Sequence, residues 1–467
     1  MKLFTAHHTL VGILAITGAI AASPLARGDN PVVQTSFTAD PAPLVHDGVL
    51  YLYASHDEDD APPGQGRFRM LDWKCYSTTD MVNWTDHGTV ASLKTFPWAV
   101  QSNDAWAPQV VERGGKFYLY TPISVEGSPK NVIAVAVADN PLGPFKDALG
   151  RPLIDKANGF IDPTVFVDGD GQAYLYFGNP KVWFVRLNAD MVSYSGGIVE
   201  EPTKPENYQE GPWFYARGGH YYLAYASTCC PEGIGYAMSD HPTGPWTYKG
   251  YIIPPNRAST GNHPGIVDYK GGSYVFGFNY QLNFALTDKH HERRSVCVAK
   301  FAYNPDGTIP ELPWWEAAGA PQIGTLDPYR RVEAETICWS EGIKSETHSG
   351  GGLNVYPIRD GAFIKVKGVN FGAEGAGTFT ASVACEAEAG ASPGGSIELH
   401  LDSAAGPLIG ALAVPKTAGL WKLATTAITH AAGLHDLFLV FKVDANGGRF
   451  KTDYWQFTHS ATDGSRP

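Results

Sequence analysis

Three carboxylic acids and one histidine stand beside prolines at matching points of a repeat. Asp40, Asp162 and His263 each directly precede a proline (Pro41, Pro163 and Pro264), and Glu210 lies two residues before Pro212. Two carboxyl groups on opposite sides of a glycosidic bond are the minimum for its acid–base hydrolysis. One protonates the leaving oxygen, and the other deprotonates a water or attacks the sugar directly. Their pKa values must differ, and a third carboxylate beside the acid raises it by like-charge repulsion. Each residue alone admits a plainer role: Asp before Pro often opens a turn, and a Glu in Gln-Glu-Gly-Pro can be a solvated loop residue. Their shared position is what points to a site.

Something must bring residues so distant in sequence together. Pro41, Pro108, Pro163, Pro212 and Pro264 are each followed ten or eleven residues later by an aromatic in a strand-like run: Tyr51, Tyr118, Tyr174, Tyr222 and Tyr274. Short alternating runs between Gly, Pro, Asn and Asp turns predict antiparallel strands. Four strands at a period of about fifty residues suit a propeller blade, and radial repetition protects the sheet edges. The expected fold class is therefore all-β, with a five-bladed β-propeller over residues 30–322. Innermost strands line the central channel, so equivalent positions converge at one of its mouths. Blade two offers Trp106 there in place of an acid; Trp106 and Trp73 are candidate walls of a sugar subsite, although a strand Trp is as often core.

The pattern stops in the Pro- and Gly-punctuated stretch around Leu312–Asp327, and residues 328–460 change style. VEAE, GSIELHLDS, LHDLFLVFK and TDYWQF alternate as strands, which predicts a β-sandwich of jelly-roll, lectin-like type. A chain of 467 residues accommodates two such domains. Net charge is −12 without a basic run, which argues against nucleic acid or an anionic membrane as partner. Residues 1–26, with Lys2, an apolar run from Leu10 to Ile20 and small residues after it, read as a secretory signal peptide, so a secreted or periplasmic location is expected. Cys338 and Cys385 lie in the same C-terminal region and could pair, though free thiols are the expected state. Adjacent Cys229 and Cys230 admit a vicinal disulfide, with two buried thiols the expected state.

The blocks TADPAPLVHDGVLYLYASHD, FIDPTVFVDGDGQAYLYFG and YQEGPWFYARGGHYYLAYAS resemble the catalytic blocks of glycoside hydrolase family 43. The resemblance covers the whole propeller region. It implies Asp40 as general base, Glu210 as general acid and Asp162 as the residue that raises and orients Glu210. It also implies inversion of configuration, for which carboxyls about 6.5–9.5 Å apart are expected. By the same resemblance His263 lies near a channel-bound metal, usually calcium, or contacts substrate, and Arg294 reaches sugar hydroxyls, with Arg293 as runner-up. The implied activity is release of a terminal pentose, β-D-xylose or α-L-arabinofuranose, from hemicellulose such as xylan or arabinoxylan.

The C-terminal region resembles carbohydrate-binding module family 6 through VEAE, GIKSE, IKVKGVNFG, GSIELHLDS and LHDLFLVFK…TDYWQF. That resemblance makes Glu333, Glu335 and Asp453 the ligands of a structural Ca2+, all hard oxygen donors. Lys451 stands where the family often has Asn, and Ala362 and Phe363 stand where a tryptophan or tyrosine is expected, so sugar binding by the usual cleft and simple packing against the propeller are both open readings of the module. A fructan-active propeller enzyme is the second reading, opposed by Ile161-Asp162-Pro163 where those relatives carry Arg-Asp-Pro. A non-catalytic sugar-binding protein is the third, and it predicts a lost carboxylate where none is lost.

Overall fold

The computed structural model describes residues 27–60, 68–127, 131–155, 159–256, 262–287, 292–387, 394–443 and 449–460; the expected leader, residues 1–26, lies outside them. The described residues are nearly all β, with one short helix at Gln281–Leu286. Five antiparallel sheets form the blades of a propeller. Blade one comprises Phe37–His46, Val49–Asp57, Asp72–Thr78 and Trp84–Ser92; blade two Gln109–Arg113, Lys116–Ile123, Val132–Ala138 and Lys146–Asp147. Blade three comprises Thr164–Val167, Ala173–Phe177, Trp183–Leu187 and Tyr194–Glu200; blade four Tyr208–Arg217, His220–Ser227, Gly233–Ser239 and Thr247–Ile253. Blade five has Gly265–Tyr269, Gly272–Asn279 and Ser295–Phe301.

Blade five is completed by the N-terminal segment. Val32 N–H donates to Val296 O at 2.9 Å, and the Asn30 amide group bonds both backbone groups of Val298, at 3.0 and 2.9 Å. Beside it, Arg27–Asp29 pairs with Ala318–Pro321. The two ends of the propeller thus meet on one blade and close the ring.

The residue after each repeat aromatic (Leu52, Leu119, Leu175, Leu223 and Val275) is 0% exposed. These side chains fill wedges between neighbouring blades, each contributing about 1.5–3 kcal/mol of burial. Pro108, Pro163 and Pro264 directly precede their inner strands, and Pro41 and Pro212 lie within theirs where the register slips. These strands have a partner on one side only, so a missing N–H costs the ladder little. Polar joints link successive blades. Trp73 Nε1–H donates to Trp106 O (2.9 Å), Phe214 N–H to Thr164 Oγ1 (3.1 Å), Trp213 Nε1–H to Ile266 O (2.9 Å) and Thr38 N–H to Arg294 O (2.9 Å); Val165 N–H donates to Gln109 Oε1.

The C-terminal domain is a sandwich. One sheet orders Ile343–Thr347, Leu353–Pro357, Phe450–His459, Ala376–Cys385 and Lys422–Ala427; the other orders Trp339–Glu341, Ala362–Asn370, Leu434–Val443, Gly395–Leu401 and Leu408–Val414. Its connection to the propeller is itself structural. Val332–Glu333 pairs within the sandwich, whereas Thr336–Ile337 adds a fifth strand to blade one, with Thr336 opposite Thr85 and Ile337 opposite Trp84.

The vicinal cysteine pair departs from expectation. Cys229 and Cys230 form a vicinal disulfide and are exposed, because the turn that carries them leaves blade four with no sheet to cover it. Cys338 and Cys385 remain buried thiols: Cys338 faces Asp29 at the domain joint (3.8 Å), while Cys385 ends a strand inside the sandwich core.

Candidate active site

Backbone irregularity delivers the acids. In blade one the register slips between Ala39, opposite Ser55, and Ala42, opposite Tyr53, so Asp40 and Pro41 bulge from the ladder. In blade four it slips between Glu210, opposite Ala226, and Trp213, opposite Ala224. Such bulges re-aim a side chain at the cost of ladder bonds. Asp40 (φ 51°), Asp162 (φ 59°) and Gly211 (φ 58°) occupy the left-handed region, each directly before its proline. Two of the three are non-glycine residues held in a costly conformation, as functional positions often are. Gly211 is required: a Cβ there would lie 2.6 Å from His263 Cδ2.

The strands bring Asp40, Asp162, Glu210 and His263 to one mouth of the channel. His263 sits between the acids. Its Nδ1 is 3.3 Å from Asp40 Oδ1, and its Nε2 is 3.5 Å from both Asp162 Oδ2 and Glu210 Oε1. Asp40 therefore faces Glu210 across an imidazole ring. Asp162 accepts the Gly211 N–H at 3.1 Å, and its carboxyl lies within 4.8 Å of that of Glu210.

The environments divide the acids. Burial opposes ionisation of Asp40, but Arg294, His263 and hydrogen bonds from Ser55 Oγ (2.7 Å) and the Ala107 backbone outweigh it, and its pKa is lowered. Asp162 is pushed up to about 7, first by burial and then by the charges of Glu210 and Asp40, against the pull of His263. Burial works against a charge on His263, yet Asp162, Asp40 and Glu210 raise it to about 10, so at neutral pH the ring is a cation among carboxylates. Asp40 is thus held charged, while Asp162, beside Glu210, is held against losing its proton.

Arg294 differs from expectation. It is buried, donating to Asp57 through Nε (3.0 Å) and Nη2 (2.9 Å) and to Asp40 through Nη1 (2.9 Å), with Phe68 stacked on its guanidinium at 4.1 Å. It borders the pocket, but its bonds fix Asp40. Arg293 turns away, to Asp59 O. Trp73 is not a wall: it is 0% exposed, packed on Phe96, and reaches only the backbone of Trp106. The alternation that buries one face of its strand placed it inside. Trp106 does line the pocket, which has a volume of about 220 Å³ and is bordered also by Phe68, Met70, Ile161 and Asn179.

Three residues of this site carried no sequence signal. Asn179 donates to Glu210 Oε2, and Phe68 and Met70 wall the Asp40 side. All lie between the second and third strands of a blade, a connection that necessarily returns to the face from which the first strand starts.

Two donor sets bear on a metal. Asp162, Glu210 and His263 each offer a ligand atom within 4.8 Å of the others, although both His263 nitrogens already face carboxylates. In the sandwich, buried Glu335 has an unpartnered Oε2 and is raised to about 9, by burial first and then by Glu333, Asp86 and Asp453. Arg331 bonds Glu333 at 2.8 Å and approaches Asp453 to 3.8 Å. An unpaired buried carboxyl among three others fits a hard divalent cation.

A propeller that gathers three carboxyls at its channel mouth beside a pocket of about 220 Å³ has the frame of a glycosidase. Residues 28–309 match glycosyl hydrolases family 43, and the chain belongs to that family; residues 333–459 match carbohydrate binding module family 6. An arabinoxylan arabinofuranohydrolase of Paenibacillus polymyxa is 34% identical over 519 residues, covering 98% of this chain and 79% of the relative. The structure of a family 43 arabinoxylan arabinofuranohydrolase from Bacillus subtilis, in complex with cellotetraose, superimposes with a TM-score of 0.79 at 32% identity over 92% of this chain and 97% of the other. A β-xylosidase/α-arabinofuranosidase from a compost metagenome, solved with xylotriose in a calcium-free form, covers 62% of this chain and 98% of its own, with a TM-score of 0.55 at 30% identity.

Proposed function

We propose that this glycosidase removes α-L-arabinofuranose, and in a lesser role terminal β-D-xylose, from arabinoxylan or xylan with inversion. The observation that carries the reading is the arrangement of Asp40 and Glu210, fixed by separate partners on either side of a pocket for one sugar. The preference for arabinofuranose is supported by the two arabinoxylan-active relatives, whose likeness runs through both domains.

Asp40, kept charged by Arg294 and Ser55, takes a proton from water as the water oxygen bonds to the anomeric carbon. The bond to the leaving oxygen breaks, and Glu210 gives that oxygen its proton. Asn179 holds the Glu210 carboxyl, while Asp162 and His263 set the charge around it.

The side-by-side test uses nitrophenyl α-L-arabinofuranoside, nitrophenyl β-xyloside and arabinoxylan. A nitrophenolate leaves with little help from an acid. Glu210→Gln is therefore expected to lower kcat on arabinoxylan by about 10²–10⁴ and on nitrophenyl substrates much less, whereas Asp40→Asn lowers both alike. Equal losses on both substrates in Glu210→Gln refute its role as acid.

Calcium belongs to the same reading as a structural ion, held by Glu333, Glu335 and Asp453 or at the channel set, where it would supply a fixed positive charge. Added Ca2+ should raise the melting temperature and a chelator lower it; no change with either removes calcium from the account. Export is also included. Its support is the signal-like sequence of residues 1–26 and the disulfide at Cys229–Cys230, a bond that persists in oxidising compartments. The mature N terminus, read by mass spectrometry, checks it.

A further inference from the structure

The vicinal disulfide has no part in the chemistry above, yet it lies on the face where that chemistry occurs. Strand Tyr208–Arg217 starts at the channel mouth with Glu210, and strand His220–Ser227 returns to the same mouth, with Ser227 opposite Tyr208. The turn that follows, Thr228 to Glu232, therefore projects from the active-site face beside the acid.

Both ends of this turn are tied to the site's own framework. Thr228 N–H donates to Asn207 O at 2.8 Å, on the approach to Glu210. Buried Glu232 accepts the Asn262 N–H at 2.7 Å, and Asn262 immediately precedes His263. Between these anchors Cys229 and Cys230 are exposed and covalently joined. Neither borders the sugar pocket, so the pair lies outside it, on the rim.

The reaction fixes which part of the substrate passes there. The leaving oxygen must lie against Glu210, so the remainder of the polysaccharide extends over the blade that carries Glu210. The exposed apolar side chains of Phe284 and Leu286 also lie on this face, but they belong to blade five and not to the blade that carries Glu210. We propose that the Cys229–Cys230 disulfide is a leaving-group subsite: a soft, polarisable apolar patch on which the C–H face of a backbone xylose rests, selecting polymer over small aglycones. Two joined sulfurs present such a surface without a polar group to desolvate, and thiol sulfur already behaves as a small hydrophobe.

This inference rests on the reading of Glu210 as the acid. The experiment compares wild type with the Cys229→Ser/Cys230→Ser double variant on arabinoxylan and on nitrophenyl α-L-arabinofuranoside. KM for arabinoxylan is expected to rise by about three- to ten-fold, the worth of one apolar sugar-face contact, with a much smaller change for the nitrophenyl substrate. A second arm guards against misfolding of the variant. Reduction frees the two sulfurs to separate and breaks up their joined surface, so wild type reduced with a phosphine should show a polymer-selective rise too, reversed on reoxidation; the other four cysteines are already thiols and stay unchanged. An unchanged polymer KM in both arms, or an equal rise on the two substrates, overturns the subsite. Wild type inactive on both substrates would instead sink the glycosidase reading itself.

Discussion

At the scale of single residues, the site is a set of opposed pKa shifts around His263. Asp40 has a lowered pKa, so the stability it contributes is present above its unfolded value and lost as pH falls through the folded one. His263 runs the other way. Raised to about 10, it contributes fully below about 6.5, and the contribution drains away as pH rises towards 10. Asp162, raised from 3.8 to about 7, likewise contributes fully only below its unfolded value and loses that contribution as pH rises from there to 7. Activity follows from the same groups. kcat/KM needs Asp40 charged and a proton on Asp162, whose carboxyl lies within 4.8 Å of that of Glu210. A bell-shaped profile with an alkaline limb near pH 7 is expected. Asp162→Asn removes the group that titrates there, so the limb near pH 7 should be lost. A kcat/KM profile of the variant with its limb in place would show that Asp162 acts only through structure.

At the scale of strands and loops, what the sequence revealed follows from where the chain repeats. The prolines and the aromatics after them recur because every blade needs an inner strand with a bare edge and a second strand wedged against its neighbour; Leu52, Leu119 and Leu175 are buried for that reason. Asp40, Asp162, Glu210 and His263 could be grouped in advance because they share that strand position. Asn179, Phe68 and Met70 could not. They sit in connections whose lengths differ between blades, so no period marks them, although topology returns every such connection to the active-site face. Trp73 was misread for a related reason. Aromatic alternation shows which residues share a strand face, but not whether that face meets the pocket or the next blade. Arg294 illustrates a third limit, since sequence does not show that Asp57 waits on the adjoining blade to fix its guanidinium.

At the scale of the whole molecule, the sandwich is built into the propeller. Thr336–Ile337 covers the outer edge of blade one, where Trp84–Ser92 would otherwise present unpaired backbone groups. The joint is polar and specific. Lys344 pairs with Asp59 and Lys365 with Asp29, both at 2.7 Å, while Asn83 and Lys367 exchange two hydrogen bonds of 2.8 Å. Surface ion pairs alone would stabilise this little; the shared strand makes the arrangement cooperative. A propeller truncated after residue 322 should consequently retain its pocket, because every carboxyl partner lies within it, yet lose the cover of that edge. Its melting temperature is expected to fall by roughly 5 °C or more, with concentration-dependent association through blade one. On nitrophenyl substrate at low temperature, kcat should stay close to that of the full chain. Thermal melts and light scattering of the two proteins, measured together, decide the matter: a truncated propeller as stable and monomeric as the whole would mean that the added strand is a contact of convenience, and a truncated propeller with intact stability but lost kcat would mean that the sandwich reaches the site in a way the geometry does not show.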